Sequence, residues 1–332
     1  MTAPIETTPG MAEAQPEAVL SGAGQGMIEG RSLGRIAWTR FKRDKVAVTG
    51  GVVVILLVLL AILAKPIEHV FGLDPNAFHQ NLVDPVRVAP KGGWGGMSWS
   101  HPLGVDPQFG RDLLARIIEG SWVSMLVATG STLLSVAIGV VMGVVAGYYG
   151  GWADTVISRL MDTFLAFPLL LFAISISASL QDGAFGMTGL PLRISVLIFV
   201  IGFFNWPYMG RIIRGQTLSL REREFVEAAR SLGARGPFIL FRELLPNLVA
   251  PILVYSTLLI PANILFEAAL SFLGVGIAPP QASWGGMLNS AVDLFYADPQ
   301  YMVVPGLAIF ITVLAFNLLG DGLRDALDPR AK

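Results

Sequence analysis

Six stretches of this chain are too long and too apolar to cover the surface of a soluble protein. A helix that crosses the ~30 Å of hydrocarbon in a bilayer needs about 20 mostly apolar residues. Runs of that kind lie at 46–64, 122–147, 160–180, 194–213, 248–274 and 302–319. The first two carry no charge. Asp162 lies at the edge of the third, Arg211 near the end of the fourth, and Glu267 inside the fifth. Charged residues make up 14% of the 332 residues, against roughly 25% in soluble domains. Mean hydropathy is +0.63. These figures exclude a water-soluble globular protein and a mainly disordered one, and they imply an all-α integral membrane protein with six transmembrane helices. The net charge of −1 gives no reason to expect a nucleic-acid partner. The chain has no cysteine, so disulfides, thiolate metal sites and cysteine nucleophiles are excluded.

Orientation follows from where lysine and arginine fall. With the amino terminus in the cytoplasm, 17 of them fall on that side and 6 on the other. Both termini are therefore expected in the cytoplasm. Residues 1–30 hold four glutamates and no lysine or arginine. They read as a disordered cytoplasmic tail without the basic start of a signal peptide, so the first span is expected to stay as an anchor. A basic segment and the first span follow over 31–64. An external loop fills 65–121, a five-helix core runs over 122–322, and a cytoplasmic tail closes the chain over 323–332. The external loop holds His69, His79 and His101. Their spacing fits no common metal-ligand pattern, so no metal is expected. Asp106, Arg111 and Asp112, just before the second span, suit either a contact to an external protein or a tight turn that starts a helix.

A long cytoplasmic loop at about 214–247 is the part least like a simple connector. Ser219 and Glu222 have the spacing of a capping box. Phe225, Ala228, Ala229 and Leu232 recur as one apolar helical face. Gly233 stands where a left-handed terminating residue is wanted, and Pro237 can open a second short helix. The pattern is a rigid elbow between two spans, with pairs such as Glu227 and Arg230 on its surface. A docking element for a cytoplasmic partner explains an elbow of this length better than a solvated connector does.

Here the residues resemble a known family. Glu227, Ala228, Ala229, then Gly233 after three residues, then Leu245 and Pro246, resemble the EAA loop of ABC importer permeases. Glu243 stands where that family's pattern has isoleucine. Further segments, among them RFKRDKVAV (40–48), HPLGVDPQFGRDLLARIIEG (101–120) and EAALSFLGVGIAPPQASWG (267–285), are most similar to the C-type permease of dipeptide and oligopeptide (peptide/nickel) importers. The resemblance covers roughly 35–332 and implies a type I importer permease fold in a prokaryotic cytoplasmic membrane. It implies partners: a second permease in a heterodimer, two ABC ATPases that hold ATP and magnesium, an external solute-binding protein, and a peptide substrate. It also implies that Phe225, Glu227, Ala228, Ala229, Arg230, Gly233, Leu245 and Pro246 form the contact to the ATPase. Nickel or glutathione importers use similar subunits and are the alternative.

The rest of the sequence agrees with a non-catalytic subunit. None of the five lysines follows a glycine, so the chain has no P-loop, and no catalytic constellation is visible. Ser135, Gly139, Gly143 and Gly147 recur every four residues, a stripe that lets another helix approach closely. Glu267, an acid within a span, is by default a functional residue, and a structural or gating role is expected of it ahead of direct cargo contact in the pathway. Asp162 reads as the partner of Arg159. An ion-driven secondary transporter is the more distant alternative. It would want several midplane charges and internal repeats, which the sequence does not display.

Overall fold

A computed structural model of the chain describes residues 33–180, 183–184 and 186–328. The expected tail at 1–30 and the last four residues lie outside the described residues. A short amphipathic helix, α1 (Leu33–Arg43), leads into the first span, α2 (Lys45–Ile62). Asp44 separates them because its Oδ1 accepts from Val46 N (2.9 Å) and Ala47 N (3.1 Å), capping donors that α2 cannot satisfy itself. Helix α3 (Ala64–Phe71) and a two-stranded antiparallel hairpin, β1 (Val83–Asp84) with β2 (Ala89–Pro90), build the loop that follows. Helix α4 (Leu113–Tyr149) is 37 residues long, about 55 Å. It starts nine residues before the expected span because Asp112 caps it, accepting from Ala115 N at 2.9 Å.

The expected third span is broken. Helix α5 (Gly151–Ala166) and helix α6 (Leu169–Ser179) meet at 75°. Pro168 has no N–H to continue the ladder, and its ring holds Phe167 in an extended conformation (φ −82°, ψ 129°). Helix α7 (Gly189–Arg221) then runs 33 residues, past the bilayer edge expected near Ile213. The described residues thus contain five helices long and apolar enough to cross a membrane, or six if the bent α5–α6 pair counts as one span. The later ones are α10 (Leu245–Phe272) and α12 (Gln300–Leu327), with the short α11 (Trp284–Ala291) between them.

The bundle is organised around α4. Its small-residue stripe lies against α7. Ser135 Oγ donates to Gly202 O at 2.9 Å. A Cβ added at Gly139 would come within 2.8 Å of Trp206 O, at Gly143 within 2.6 Å of Gly210 O, and at Gly147 within 2.9 Å of Arg214 O. The partner of the stripe is therefore a helix of the same chain. A second close approach joins α2 to α12, where a Cβ on Gly50 would lie 2.9 Å from Ala315 O. Between these seams Met125, Ala128, Ile264, Ala268, Ile309 and Phe316 form a buried core shared by α4, α10 and α12.

Replacing Gly143 by Ala forces two backbones apart and is expected to cost about 1–3 kcal/mol. Ser135→Ala removes one hydrogen bond and is expected to cost about 1 kcal/mol. Thermal unfolding of the detergent-solubilised chain checks the order: Gly143→Ala melts lower than Ser135→Ala.

Candidate coupling site

The loop between α7 and α10 begins with a change of direction at Glu222 and Arg223. Helix α7 continues through Ser219 to Arg221, so Ser219 is interior to a helix and caps nothing. Helix α8 (Glu224–Ser231) starts with Arg223 as its N-cap and without a side-chain cap. Glu222 instead pairs with Arg221, whose Nε lies 2.8 Å from Oε1. The expected capping box is thus absent, because the fourth span's backbone ladder runs straight through it.

The buried face of α8 also differs from the expected one. Val226 is the residue with 0% exposure, packed on Ile239 and Leu244. Phe225 and Ala228 are exposed, Ala229 is half-buried, and Leu232 is 89% exposed. The packing of Val226 under the next segment sets the rotation of α8. As a result Phe225, Glu227, Ala228 and Leu232 face outward as an unpartnered ridge of mixed apolar and acidic character. Arg230 does not pair with Glu227 by any ion-pair distance; its guanidinium lies over the Tyr148 ring, 5.7 Å from the centroid.

Gly233 ends α8 with φ +81°. Its N–H bonds Arg230 O (2.9 Å), and Ala234 N bonds Ala229 O (3.0 Å), which together make a Schellman motif. A Cβ at Gly233 would meet no atom within 4 Å. The glycine is therefore required by its left-handed backbone and not by crowding.

The second arm of the elbow is not a separate short helix. Pro237 lies in the first turn of α9 (Gly236–Phe238), which passes through a π-helical turn at Ile239–Leu244 directly into α10. The wide turn has a cause in the sequence. Pro246 offers no N–H, and its ring would collide with the carbonyl four residues back. Leu245 N accordingly bonds Leu240 O across five residues, and Asn247 Nδ2 donates to Glu243 O at 2.7 Å. Leu245 is half-buried and Pro246 exposed. Residues 236–272 thus form one continuous helical rod.

Tyr148 and Arg221 were not singled out in the sequence, yet they fix the elbow. Arg221 Nη1 donates to Gly147 O at 3.0 Å, satisfying a free carbonyl at the end of α4. Tyr148 supports α8 from below through Arg230 and borders the Val226 cluster. The sequence carried little sign of them: Tyr148 directly follows the small-residue stripe, and Arg221 ends α7. Nearby, Asp162 accepts from Arg211 Nη2 at 2.5 Å, closer than Arg159 at 3.9 Å. Asp154 binds Arg214 through both oxygens. These pairs tie α5 to the second half of α7.

In the loop before α4, Asp106, Arg111 and Asp112 are buried. Asp106 accepts from Phe109 N (2.6 Å) and from Arg111 Nε, and Asp112 Oδ2 meets His101 Nδ1 at 2.6 Å. They build a turn and a helix cap and present no polar surface to an external protein. His79 Nδ1 donates to Gly110 O at 3.0 Å. Among the described residues no group of three or more His, Cys, Asp or Glu could hold a metal. At membrane level a groove of about 380 Å³ opens between α7 and α10, lined by Asn205, Tyr208, Met209, Tyr255, Leu259 and Phe266. Behind it Asn205 Nδ2 donates to Asn263 Oδ1 (2.9 Å), and Asn263 Nδ2 to Thr132 Oγ1 (2.8 Å). Glu267 has 0% exposure and does not line the groove.

Residues 139–332 match the family described as the inner membrane component of binding-protein-dependent transport systems. Residues 32–82 match the N-terminal transmembrane domain of oligopeptide transport permease C. The glutathione transport system permease protein GsiD of Pectobacterium atrosepticum is 41% identical over 295 residues, covering 89% of this chain and 90% of that protein. GsiD of Escherichia coli O6:K15:H31 has the same identity and coverage. The fold is similar to that of a chain of the MetNI methionine ABC transporter in an inward-facing conformation. That match has a TM-score of 0.52 at 17% identity and covers 65% of this chain and 98% of that one.

Because Gly233 needs only its backbone conformation, Gly233→Asn is expected to be tolerated better than Gly233→Val, by about 1 kcal/mol. Limited proteolysis of the loop checks this, with faster cleavage in the valine variant.

Proposed function

Because this chain belongs to the inner membrane permease family of binding-protein-dependent transport systems, in its OppC-like branch, we propose that it is one of two unlike permeases in an ATP-driven importer of small peptides. Its relatives at 41% identity are glutathione permeases, and this favours glutathione-like tripeptides over longer oligopeptides as cargo. Nickel is the less supported alternative. Substrate choice is shared with the external binding protein, which delivers cargo to the outer face. Both termini face the cytoplasm, in keeping with the distribution of lysine and arginine.

The observation that carries the reading is the exposed ridge of α8, held at both ends by long spans. Phe225, Glu227 and Ala228 are the surface offered to an ATPase subunit. Ala229 and Arg230 seat the ridge on the bundle, and Gly233 ends it. Leu245 and Pro246 begin the rod that carries its movement into the membrane. ATP and magnesium bind on the partner subunits, and this chain does no bond chemistry. The groove between α7 and α10, with Tyr208 at 53% exposure and the Asn205–Asn263–Thr132 rung behind it, is this subunit's share of the conduit.

Two measurements test this. Gly233→Asp is expected to insert and assemble normally but to lose uptake and substrate-stimulated ATP hydrolysis; full uptake would overturn the assignment of the coupling element. Proteoliposomes holding the complete transporter are expected to accumulate glutathione in competition with dipeptides and to ignore nickel ions. Nickel uptake without peptide uptake would reverse the choice of cargo.

A further inference from the structure

Beyond α10, the chain turns back over the outer end of the bundle at residues 273–283 and then forms α11. The segment is pressed hard onto its support. A Cβ on Gly285 would come within 2.4 Å of Ala268 O, and one on Gly276 within 2.2 Å of Ser271 Oγ. Trp284 is buried and donates Nε1 to Ile117 O at 3.1 Å.

Three backbone N–H groups of this segment go to serine oxygens. Ile277 N donates to Ser271 Oγ (3.2 Å), Trp284 N to Ser124 Oγ (3.4 Å), and Gly286 N to Ser283 Oγ (3.1 Å). A hydroxyl that accepts in this way still has one proton to donate. All three hydroxyls face the same group, the carboxyl of Glu267. Ser271 Oγ donates to its Oε1 at 2.8 Å, and Ser124 and Ser283 face it from α4 and from the start of α11. Its Oε2 has no hydrogen bond in this conformation. A fully buried acid hydrogen-bonded to one of these hydroxyls and flanked by the other two, each already holding an N–H of one segment, is a hub for that segment.

We propose that Glu267 is a positioning residue. Through Ser124, Ser271 and Ser283 its carboxyl latches the outer turn and α11 onto α4 and α10, so that the outer end of the bundle moves as one piece during transport. Glu267 touches no cargo; it acts through the segment it holds. The transport half of this inference rests on the importer reading above, and the latch itself does not.

The absence of cysteine from the chain makes the test direct. Ala282, in the latched turn, has 0% exposure. In the assembled transporter in proteoliposomes, Ala282→Cys reports lifting of the turn by its rate of modification with a membrane-impermeant maleimide. With Glu267→Ala, labelling of this subunit is expected to quicken at least roughly fivefold. Ser124→Ala and Ser283→Ala should each give a smaller increase. Glu267→Gln, whose carbonyl can still accept from Ser271, should stay near the parent. Uptake should fall in Glu267→Ala while basal ATP hydrolysis persists. Unchanged labelling in Glu267→Ala overturns the latch, and quickened labelling with parental uptake overturns its role in transport. If Glu267→Ala does not assemble, the two serine variants carry the same test, since they preserve shape. Labelling needs no cargo, so a parent complex that imports none of the solutes offered would fail the importer reading and leave the latch to be judged on labelling alone.

Discussion

Along the seam of α4 and α7 two helices approach so closely that carbonyl oxygens of one occupy the space where Cβ atoms of the other would stand. Gly139, Gly143 and Gly147 permit this, and Ser135 closes the seam with a hydrogen bond to Gly202 O. In lipid, helices gain little from burying apolar surface against each other, so close backbone packing and hydrogen bonds must supply the association. The seam gives the other spans a fixed pair to pack on. One buried core joins α4 to α2, α10 and α12, and others join the seam helices to α5 and α6.

The elbow inherits its position from the same seam. The seam runs on to Gly147 and Thr217, at the end where α7 extends past its apolar run. There Arg221 returns to Gly147 O, and Tyr148 underlies Arg230. Helix α8 is thus held by the end of one seam helix while it follows the other. Only two turns long, it would be marginal alone; its geometry comes from Val226 clamped beneath Ile239 and Leu244.

Much of this architecture was legible in the sequence, because the constraints that set it are local. Span number follows from apolar length, and Gly233 follows from the need for a left-handed residue at a helix end. What stayed hidden needed partners distant in sequence. The stripe at Ser135, Gly139, Gly143 and Gly147 announces close packing but carries no mark of its partner, which is α7. Ser219 and Glu222 have the right spacing for a cap, yet a span that does not stop overrides them. Phe225, Ala228 and Leu232 form as plausible an inward face as Val226 does. Only the placement of Ile239 and Leu244, across the glycine turn, decides the rotation. That Pro168 breaks the third span by 75° depends on Phe167 leaving the helix.

The wide turn at Ile239–Leu244 has a mechanical consequence. Because Pro246 is absorbed there without a break, the 37 residues from Gly236 to Phe272 are a single rod about 55 Å long. Such a rod is a lever. A tilt of about 10° applied at its elbow end would carry the far end through roughly 10 Å, far more than any side chain could reach by changing rotamer. A small displacement of the elbow would thereby be amplified at the far end of the rod, and the wide turn lies directly beside the elbow.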